Sequence, residues 1–328
     1  MSEIYHGTNN LSESSFLITG GAGFIGSHIV EYLLKNQACN VRVLDNFSTG
    51  RKENIQDFFN CDNFELITGD IRDLETCKKA VHSIDYVFHQ AALGSVPRSI
   101  TDPITTNDVN IGGFLNMLSA SCGANLKKFV YAASSSTYGD SQKLPKVENT
   151  IGRPLSPYAV TKYVNELYAQ VFADLYQISA VGLRYFNVFG PKQDPEGQYA
   201  AVIPLFMKNA LESNSPFING DGEQTRDFTF IENAVQANIC ALFADIKGHD
   251  VLNIANGERT SLNTLWDKIN ELSGTSIKAV YRENRVGDIR DSFADITKAK
   301  KYIGYQPVYS VQEGLQITHN WYKEKYGK

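Results

Sequence analysis

The chain has 328 residues, 42% of them hydrophobic and 20% charged, with a formal net charge of −5. That length fits one large α/β unit or a large unit with a smaller lobe. No basic run points to nucleic acid, and no stretch reaches the ~18 consecutive apolar residues of a membrane span.

Ser15-Phe16-Leu17-Ile18-Thr19 is a short apolar run ending in glycine and predicts a first strand. Phe24, Ile25, Ile29, Tyr32 and Leu33 follow at helical spacing. Val41–Asp45 reads as a second strand ending in an acid, and Phe64–Ile67 and Tyr86–His89 as further strands, each of these two followed by a helical segment. Lys128–Ala132 and Ala180–Tyr185 continue the series, and Val251–Ile254 adds one more strand. Alternation of this kind predicts an α/β fold, a doubly wound parallel sheet of Rossmann type. After Asn187 the rhythm breaks at Gly190-Pro191, Asp194-Pro195 and Asn219-Gly220-Asp221-Gly222. The expected organisation is a dinucleotide-binding domain over residues 1–187, with a return segment at about 230–255. A smaller, discontinuous, mixed α/β substrate-binding lobe covers 188–328, made of short helices and loops. The segment Met1–Ser15 is polar, without the apolar core of a leader, and the expected location is cytoplasmic. Five scattered cysteines (Cys39, Cys61, Cys77, Cys122, Cys240) with no C-x-x-C argue against a disulfide framework or a zinc site, so no metal is expected.

Thr19-Gly20-Gly21-Ala22-Gly23-Phe24-Ile25-Gly26 joins the first strand to the first helix. Glycine permits the tight turn and the close approach of backbone to a pyrophosphate, which then meets the helix N-terminus. A lone G-x-G-x-x-G says little; one that opens a helix directly after a strand is informative. Asp45 ends the second strand, where an acid takes the ribose hydroxyls and repels a 2′-phosphate, so NAD is expected rather than NADP. Arg42 and Arg51 are near enough in sequence to accept that phosphate instead. Asp70 ends the third strand and either reaches the adenine or caps its loop.

Tyr158-Ala159-Val160-Thr161-Lys162 follows Ser156-Pro157, a good helix start. Val164, Leu167, Val171 and Leu175 continue an amphipathic pattern, which places Tyr158 and Lys162 on one face, one turn apart. A free tyrosine titrates near ~10. A neighbouring ammonium and a positive nicotinamide both favour the phenolate, which makes a proton-handling pair at neutral pH. With 17 tyrosines, a chance Y-x-x-x-K is expected on the order of once. The pair gains weight from the glycine turn before it and from Ser134-Ser135-Ser136, which follow a strand at the carboxyl edge of the sheet.

Taken together these residues resemble the extended short-chain dehydrogenases that act on nucleotide sugars. The resemblance runs from Phe16 to about Tyr322. It rests on the glycine turn, His89-Gln90-Ala91-Ala92, Asn110, the serine cluster and the Tyr158/Lys162 pair. It continues through Leu183–Asn187, Gly220-Asp221-Gly222, Thr225–Phe228 and Arg285-Val286-Gly287-Asp288. Gly94–Ser99, Ala132–Asp140 and Ser156–Glu166 are most similar to bacterial UDP-N-acetylglucosamine 4-epimerases of surface-polysaccharide (O-antigen) pathways.

The resemblance implies tightly held NAD and C4 epimerisation of a UDP-sugar through a 4-keto stage, interconverting UDP-GlcNAc and UDP-GalNAc. It implies Ser134, Tyr158 and Lys162 as catalytic residues. For the cofactor it implies Gly20, Gly23, Phe24, Ile25, Gly26, Asp45, Asn46, Ser48, Thr49 and Gly50. Asp70, Ile71, Gln90, Ala91, Ala92, Asn110 and Tyr185 complete that set with Tyr158 and Lys162. For the substrate it implies Gly94, Ser95, the three serines Ser134, Ser135 and Ser136, Tyr158, Asn187 and Arg226. Asn187 and Arg226, with Arg285 and Asp288, would grip the uridine diphosphate, and Val202 and Ile203 would form its uridine-side loop. Ser292 stands where epimerases confined to glucose and galactose nucleotides carry a bulky tyrosine, which implies room for a 2-acetamido group. A homodimer built on Ile111–Ala120 and Tyr158–Tyr176 is also implied.

Other readings remain at this stage. A 4,6-dehydratase needs a carboxylate pair where Ser135 and Ser136 stand. An epimerase of the uronic acid form could use Arg98 or Ser99 for the carboxylate, and a UDP-glucose/galactose epimerase shares the same scaffold. An inactive NAD-binding protein would have little reason to carry Ser134, Tyr158 and Lys162 together.

Overall fold

The structure, a computed structural model, describes residues 5–7, 9–197, 200–283 and 290–327. Its centre is a seven-stranded sheet: β1 (Ser15–Thr19), β2 (Asn40–Asp45), β3 (Phe64–Thr68), β4 (Tyr86–His89), β5 (Lys128–Ser134), β6 (Ala180–Tyr185) and β7 (His249–Ile254). The order is β7-β6-β5-β4-β1-β2-β3, and every neighbouring pair is parallel. The Rossmann architecture read from the alternating runs is therefore the fold. Val251–Ile254 is indeed a strand; it begins two residues earlier and pairs with β6 at the sheet's edge.

Side chains alternate across the strands because the pleat has a period of two. Phe16 and Ile18 of β1 enter one core, with Val130 of β5 and helices α1 (Phe24–Lys35) and, late in the chain, Ile231–Phe243. Leu17 of β1 and Phe129, Tyr131 and Ala133 of β5 enter the opposite core, below α2 (Leu74–Val81), α3 (Phe114–Cys122) and α4 (Pro157–Tyr176). Phe129 is fully buried there, 5.8 Å from the His89 ring and 5.9 Å from Phe114.

Helix α4 starts as its sequence indicates. Ser156 caps it, its Oγ accepting from Ala159 N–H at 3.1 Å, and Pro157 occupies the first turn. The polypeptide beyond β6 is less irregular than expected. Leu262–Ser273 and Val311–Tyr326 are helices of 12 and 16 residues. The latter is opened by a capping box between Ser310 and Glu313. Three two-stranded sheets complete this part of the chain, and one core runs continuously from Phe16 to Tyr322. Among the described residues no helix is long and apolar enough to cross a membrane.

Phe129 anchors the aromatic packing beneath the middle of the sheet. Phe129→Ala is expected to lower the unfolding free energy by about 3–5 kcal/mol, read from the midpoint of urea denaturation.

Candidate active site

A parallel sheet sends all its strand ends to one edge. In this one the chain leaves β1 for β2 and β3 on one side and β4 to β7 on the other. Ligands bind at such a reversal because adjoining connections diverge there and open a crevice. A cavity of about 680 Å³ lies at that edge, bounded by the ends of the strands from β1 to β6.

Its first wall is the glycine turn. Gly20 has φ +68, and a Cβ there would stand 2.8 Å from the backbone of Ala91. A Cβ on Gly26 would stand 2.2 Å from the Gly20 carbonyl oxygen, so only glycine lets α1 begin this close to β1. The residue before α1, Gly23, makes no side-chain cap. The first-turn N–H groups are thus left for an anion in the cavity, which Gly23, Phe24, Ile25 and Gly26 line.

Asp45 lies farther along the same wall. Its carboxylate accepts from Ala22 N–H at 2.9 Å and Phe47 N–H at 2.8 Å, while burial raises its pKa against them. The two arginines flagged near it are both engaged elsewhere. Arg42 Nε donates to Glu65 at 2.6 Å and its Nη1 to the carbonyls of Ala80 and His82. Arg51 is paired with Asp194 at 2.6 Å. With a buried carboxylate in place and both cations committed, the pocket suits an unphosphorylated ribose, and NAD is the cofactor it fits. Asp70 also lines the cavity; the Arg72 fork and Asn46 Nδ2 hold it at about 2, well ionised.

The proton-handling residues come from two elements. Ser134 ends β5, which runs two residues past the predicted Ala132, and Ser135–Tyr138 form a tight 3-10 turn. The Ser134 hydroxyl lies beside the Tyr158 phenol. Burial holds the Tyr158 phenol above its ordinary range and Ser134 opposes that shift. Lys162 Nζ donates to Ala132 C=O at 2.8 Å and sits 6.0 Å from the Tyr158 ring centroid. Burial pushes the Lys162 ammonium down to about 8, opposed by Glu166.

The cavity wall includes every residue expected for the cofactor except Asn110. Asn110 lies behind that wall, in a wide turn over Asp108–Gly113. Its Oδ1 accepts from Leu93 N–H at 2.8 Å, and its Nδ2 donates to Leu93 C=O and to Thr161 Oγ1. It braces the loop after β4 against α4. Of the substrate set, Gly94, Ser134, Ser135, Ser136, Tyr158, Asn187, Arg226 and Ser292 line the cavity. Ser95, Val202 and Ile203 do not. Ser95 caps the helix Val96–Thr101 through Arg98 N–H. Ile203, with Phe206, Met207 and Ala210, forms the inward stripe of the helix Val202–Leu211 and is buried in the core. Arg285 and Asp288 lie outside the described residues.

Three cavity features were not read from the sequence. Gln193 lines the wall; its Nε2 donates to Val188 C=O, and its buried Oε1 has no partner among the described residues. Lys146 also lines it, a buried lysine whose Nζ donates to the Ser141 carbonyl. Asn238, wholly buried in Ile231–Phe243, ties Tyr185 and Gln90 together beneath the floor. Only the Gly190-Pro191 loop signal hinted at Gln193; nothing local marks the other two.

Comparison with known proteins places this geometry. Residues 16–255 match the model of the NAD dependent epimerase/dehydratase family, and the chain belongs to that family. It is 39% identical to a putative UDP-glucose 4-epimerase of Methanocaldococcus jannaschii, over 94% of this chain and 98% of the relative. A UDP-N-acetylglucosamine 4-epimerase from Methanobrevibacter ruminantium, solved with UDP-N-acetylmuramic acid, superposes with a TM-score of 0.90 at 39% identity, covering 95% of this chain and 99% of that one. The UDP-glucuronic acid 4-epimerase of Bacillus cereus, solved with UDP-glucuronic acid and NAD, gives 0.88 at 34% identity, covering 95% and 100%.

If the glycine turn is the pyrophosphate cradle, Gly26→Ala will retain NAD about tenfold less well than wild type or worse. The measurement is nucleotide released from purified, denatured protein. Equal NAD content would remove Gly26 from that role.

Proposed function

We propose that the protein is a UDP-sugar 4-epimerase that interconverts UDP-GlcNAc and UDP-GalNAc. The observation that carries this reading is Ser134 beside Tyr158, with Lys162 one turn on, all facing the same cavity as the glycine turn. Bound NAD supplies reversible hydride exchange at C4 of the sugar.

Tyr158 takes the proton of the sugar 4-hydroxyl and later returns one to the same oxygen, acting first as base and then as acid. In the protein by itself burial keeps the phenol protonated, so the phenolate is reached only when positive charge gathers beside it. Lys162 is that charge on the protein's side, fixed in place by the Ala132 carbonyl. Ser134 bridges Tyr158 and the sugar oxygen. Ser136 Oγ, buried without a partner among the described residues, offers a further hydrogen bond to the sugar. Asn187 and Arg226, with Arg285 and Asp288, hold the nucleotide, an Arg fork suiting a diphosphate. Ser292 stands in the cavity wall, where a small side chain leaves room for the acetamido group.

One observation favours a second substrate, the N-acetylhexosaminuronic acid form: the Lys146 ammonium in the wall could meet a carboxylate. The residues first considered for that contact are placed otherwise. Ser99 is buried with its hydroxyl donating to Val96 C=O, and neither Ser99 nor Arg98 lines the cavity.

The helix α4 also supports a homodimer. Val160, Leu167, Val171 and Leu175 form one exposed apolar stripe along it, with Ile100 and Ile104 exposed on the helices that pack beside it. Within Ile111–Ala120, by contrast, Phe114, Met117 and Leu118 belong to the core. Leu167→Glu/Val171→Glu is expected to elute as a monomer in size-exclusion chromatography with NAD still bound.

The decisive assay follows UDP-GlcNAc, its uronic acid and UDP-glucose by anomeric NMR. UDP-GlcNAc is expected to have the highest kcat/KM. Tyr158→Phe should lower kcat by about 10²–10⁴-fold; undiminished epimerisation by that variant overturns the assignment. Ser292→Tyr should suppress the acetamido substrate selectively. Unchanged turnover of UDP-GlcNAc in that variant would show that Ser292 does not set the choice.

A further inference from the structure

Glu166 stands one turn beyond Lys162 on the same face of α4, and no step described above uses it. It is 5% exposed, and Arg184 of β6, 4% exposed, grips it with two hydrogen bonds, Nε to Oε1 at 2.9 Å and Nη2 to Oε2 at 2.7 Å. A buried ion pair is a poor source of net stability, because desolvating both charges consumes most of what their attraction returns. Its location therefore calls for another account.

The pair holds the turn that adjoins the catalytic group. Thr137 Oγ1 donates to Glu166 Oε1 at 3.5 Å, and the Arg184 guanidinium lies 4.9 Å from the Tyr138 ring centroid. Thr137 and Tyr138 belong to the turn that carries Ser135 and Ser136 directly after Ser134. Arg184 Nη1 also donates to Glu148 C=O at 3.0 Å. The helix bearing Tyr158 and Lys162 is thereby bolted to the serine turn.

We propose that Glu166 and Arg184 are a positioning pair that fixes the Tyr158–Lys162 helix against the serine turn and balances the charge around Lys162. The inference rests on the epimerase reading above. On its own helix Lys162 faces the neutral phenol of Tyr158 and the carboxylate of Glu166. From β4 it faces His89, which burial keeps neutral at about 3. From β5, Tyr131 is a buried phenol near Glu166. Arg184 is the cation from β6, and Asn110 and Thr161 on the remaining side are uncharged. Glu166 is the charge that opposes the loss of the Lys162 proton.

The signs follow. Without the carboxylate, the favourable charge one turn along the helix is lost and the Arg184 guanidinium on β6 is left uncompensated, so Lys162 gives up its proton at lower pH. Without the guanidinium, an uncompensated Glu166 favours the ammonium, and the proton stays on to higher pH. The two single changes therefore displace the alkaline limb of the rate profile in opposite directions, which loss of packing cannot do.

The experiment measures kcat against pH for the NAD-loaded enzyme with the sugar nucleotide it turns over fastest. The variants are Glu166→Gln, Arg184→Gln and the double variant Glu166→Gln/Arg184→Gln, with Tyr158→Phe alongside. The alkaline limb should move about one pH unit down in Glu166→Gln and about one unit up in Arg184→Gln. It should return close to the wild-type position in the double variant. Reduced kcat with an unmoved limb in both single variants overturns the proposal. If those variants do not accumulate as folded protein, Arg184→Lys decides. It keeps the charge and loses the fork, so a lowered kcat on an unmoved limb supports the pair, and a shifted limb or an unaltered kcat overturns it. An inert Tyr158→Phe beside unmoved limbs defeats the pair alone; an active Tyr158→Phe defeats the epimerase reading itself.

Discussion

Parallel pairing is the constraint from which the rest of this molecule follows. Seven strands that all run one way must end along one edge, and each must be regained by a crossover, here a helix in every case but the loop between β2 and β3. The carboxyl ends of β1, β2, β4 and β5 bring Gly20, Asp45, Gln90 and Ser134 to the same crevice from positions scattered over more than a hundred residues. The return helices decide what else arrives. α1 delivers an uncapped N-terminus beside the glycine turn, and α4 delivers Tyr158 and Lys162 under the end of β5. Chemistry at this edge needs few special residues, because topology has already gathered the backbone groups.

This explains which parts could be read in advance. The central strands were legible because β1, β5 and β6 are buried almost throughout and so appear as apolar runs; β3, at the sheet's edge, is only partly buried. The start of α4 was legible because Ser156 and Pro157 act within one turn of the chain. Residues whose role depends on a distant partner were harder to place. Asn110 was expected at the cofactor, yet its amide is occupied with Leu93 and Thr161. Ile203 belongs to a stripe that packs inward, a fact visible only once the helix Val202–Leu211 has a neighbour. The helix Val311–Tyr326 escaped notice because its buried face includes the polar Thr318 and His319 as well as Leu315 and Tyr322, which blurs the period of its pattern. Its Ser310/Glu313 box was present in the sequence and is the signal that could have found it.

The electrostatics of the site share one theme: charges are buried only where a fixed partner answers them. Asp45 is held by two backbone N–H groups, Glu166 by the Arg184 fork, and Lys162 by a carbonyl. Such partners cost no reorganisation during reaction, which is the general advantage of a folded site over water. Tyr158 is the exception, a buried phenol held above its ordinary range with Ser134 opposing the shift. In the proposed reaction, proton transfer from this group awaits the positive charge that a filled cleft brings.

The pairing of Arg51 with Asp194 has a consequence beyond excluding a phosphate. Together with Lys192, which binds Glu31 of α1 at 2.7 Å and Asn54 C=O at 3.5 Å, it straps the segment after β6 across the loop after β2. Each tie is partly solvated and individually weak. Both ties adjoin Gly50 and Gln193 of the cavity wall, so together they oppose the parting of that end of the crevice around a bound dinucleotide. A reaction that hands its hydride back each cycle never requires fresh cofactor. For an epimerase, a crevice braced in this way loses nothing and guards against one accident, losing the reduced dinucleotide while the sugar is still oxidised.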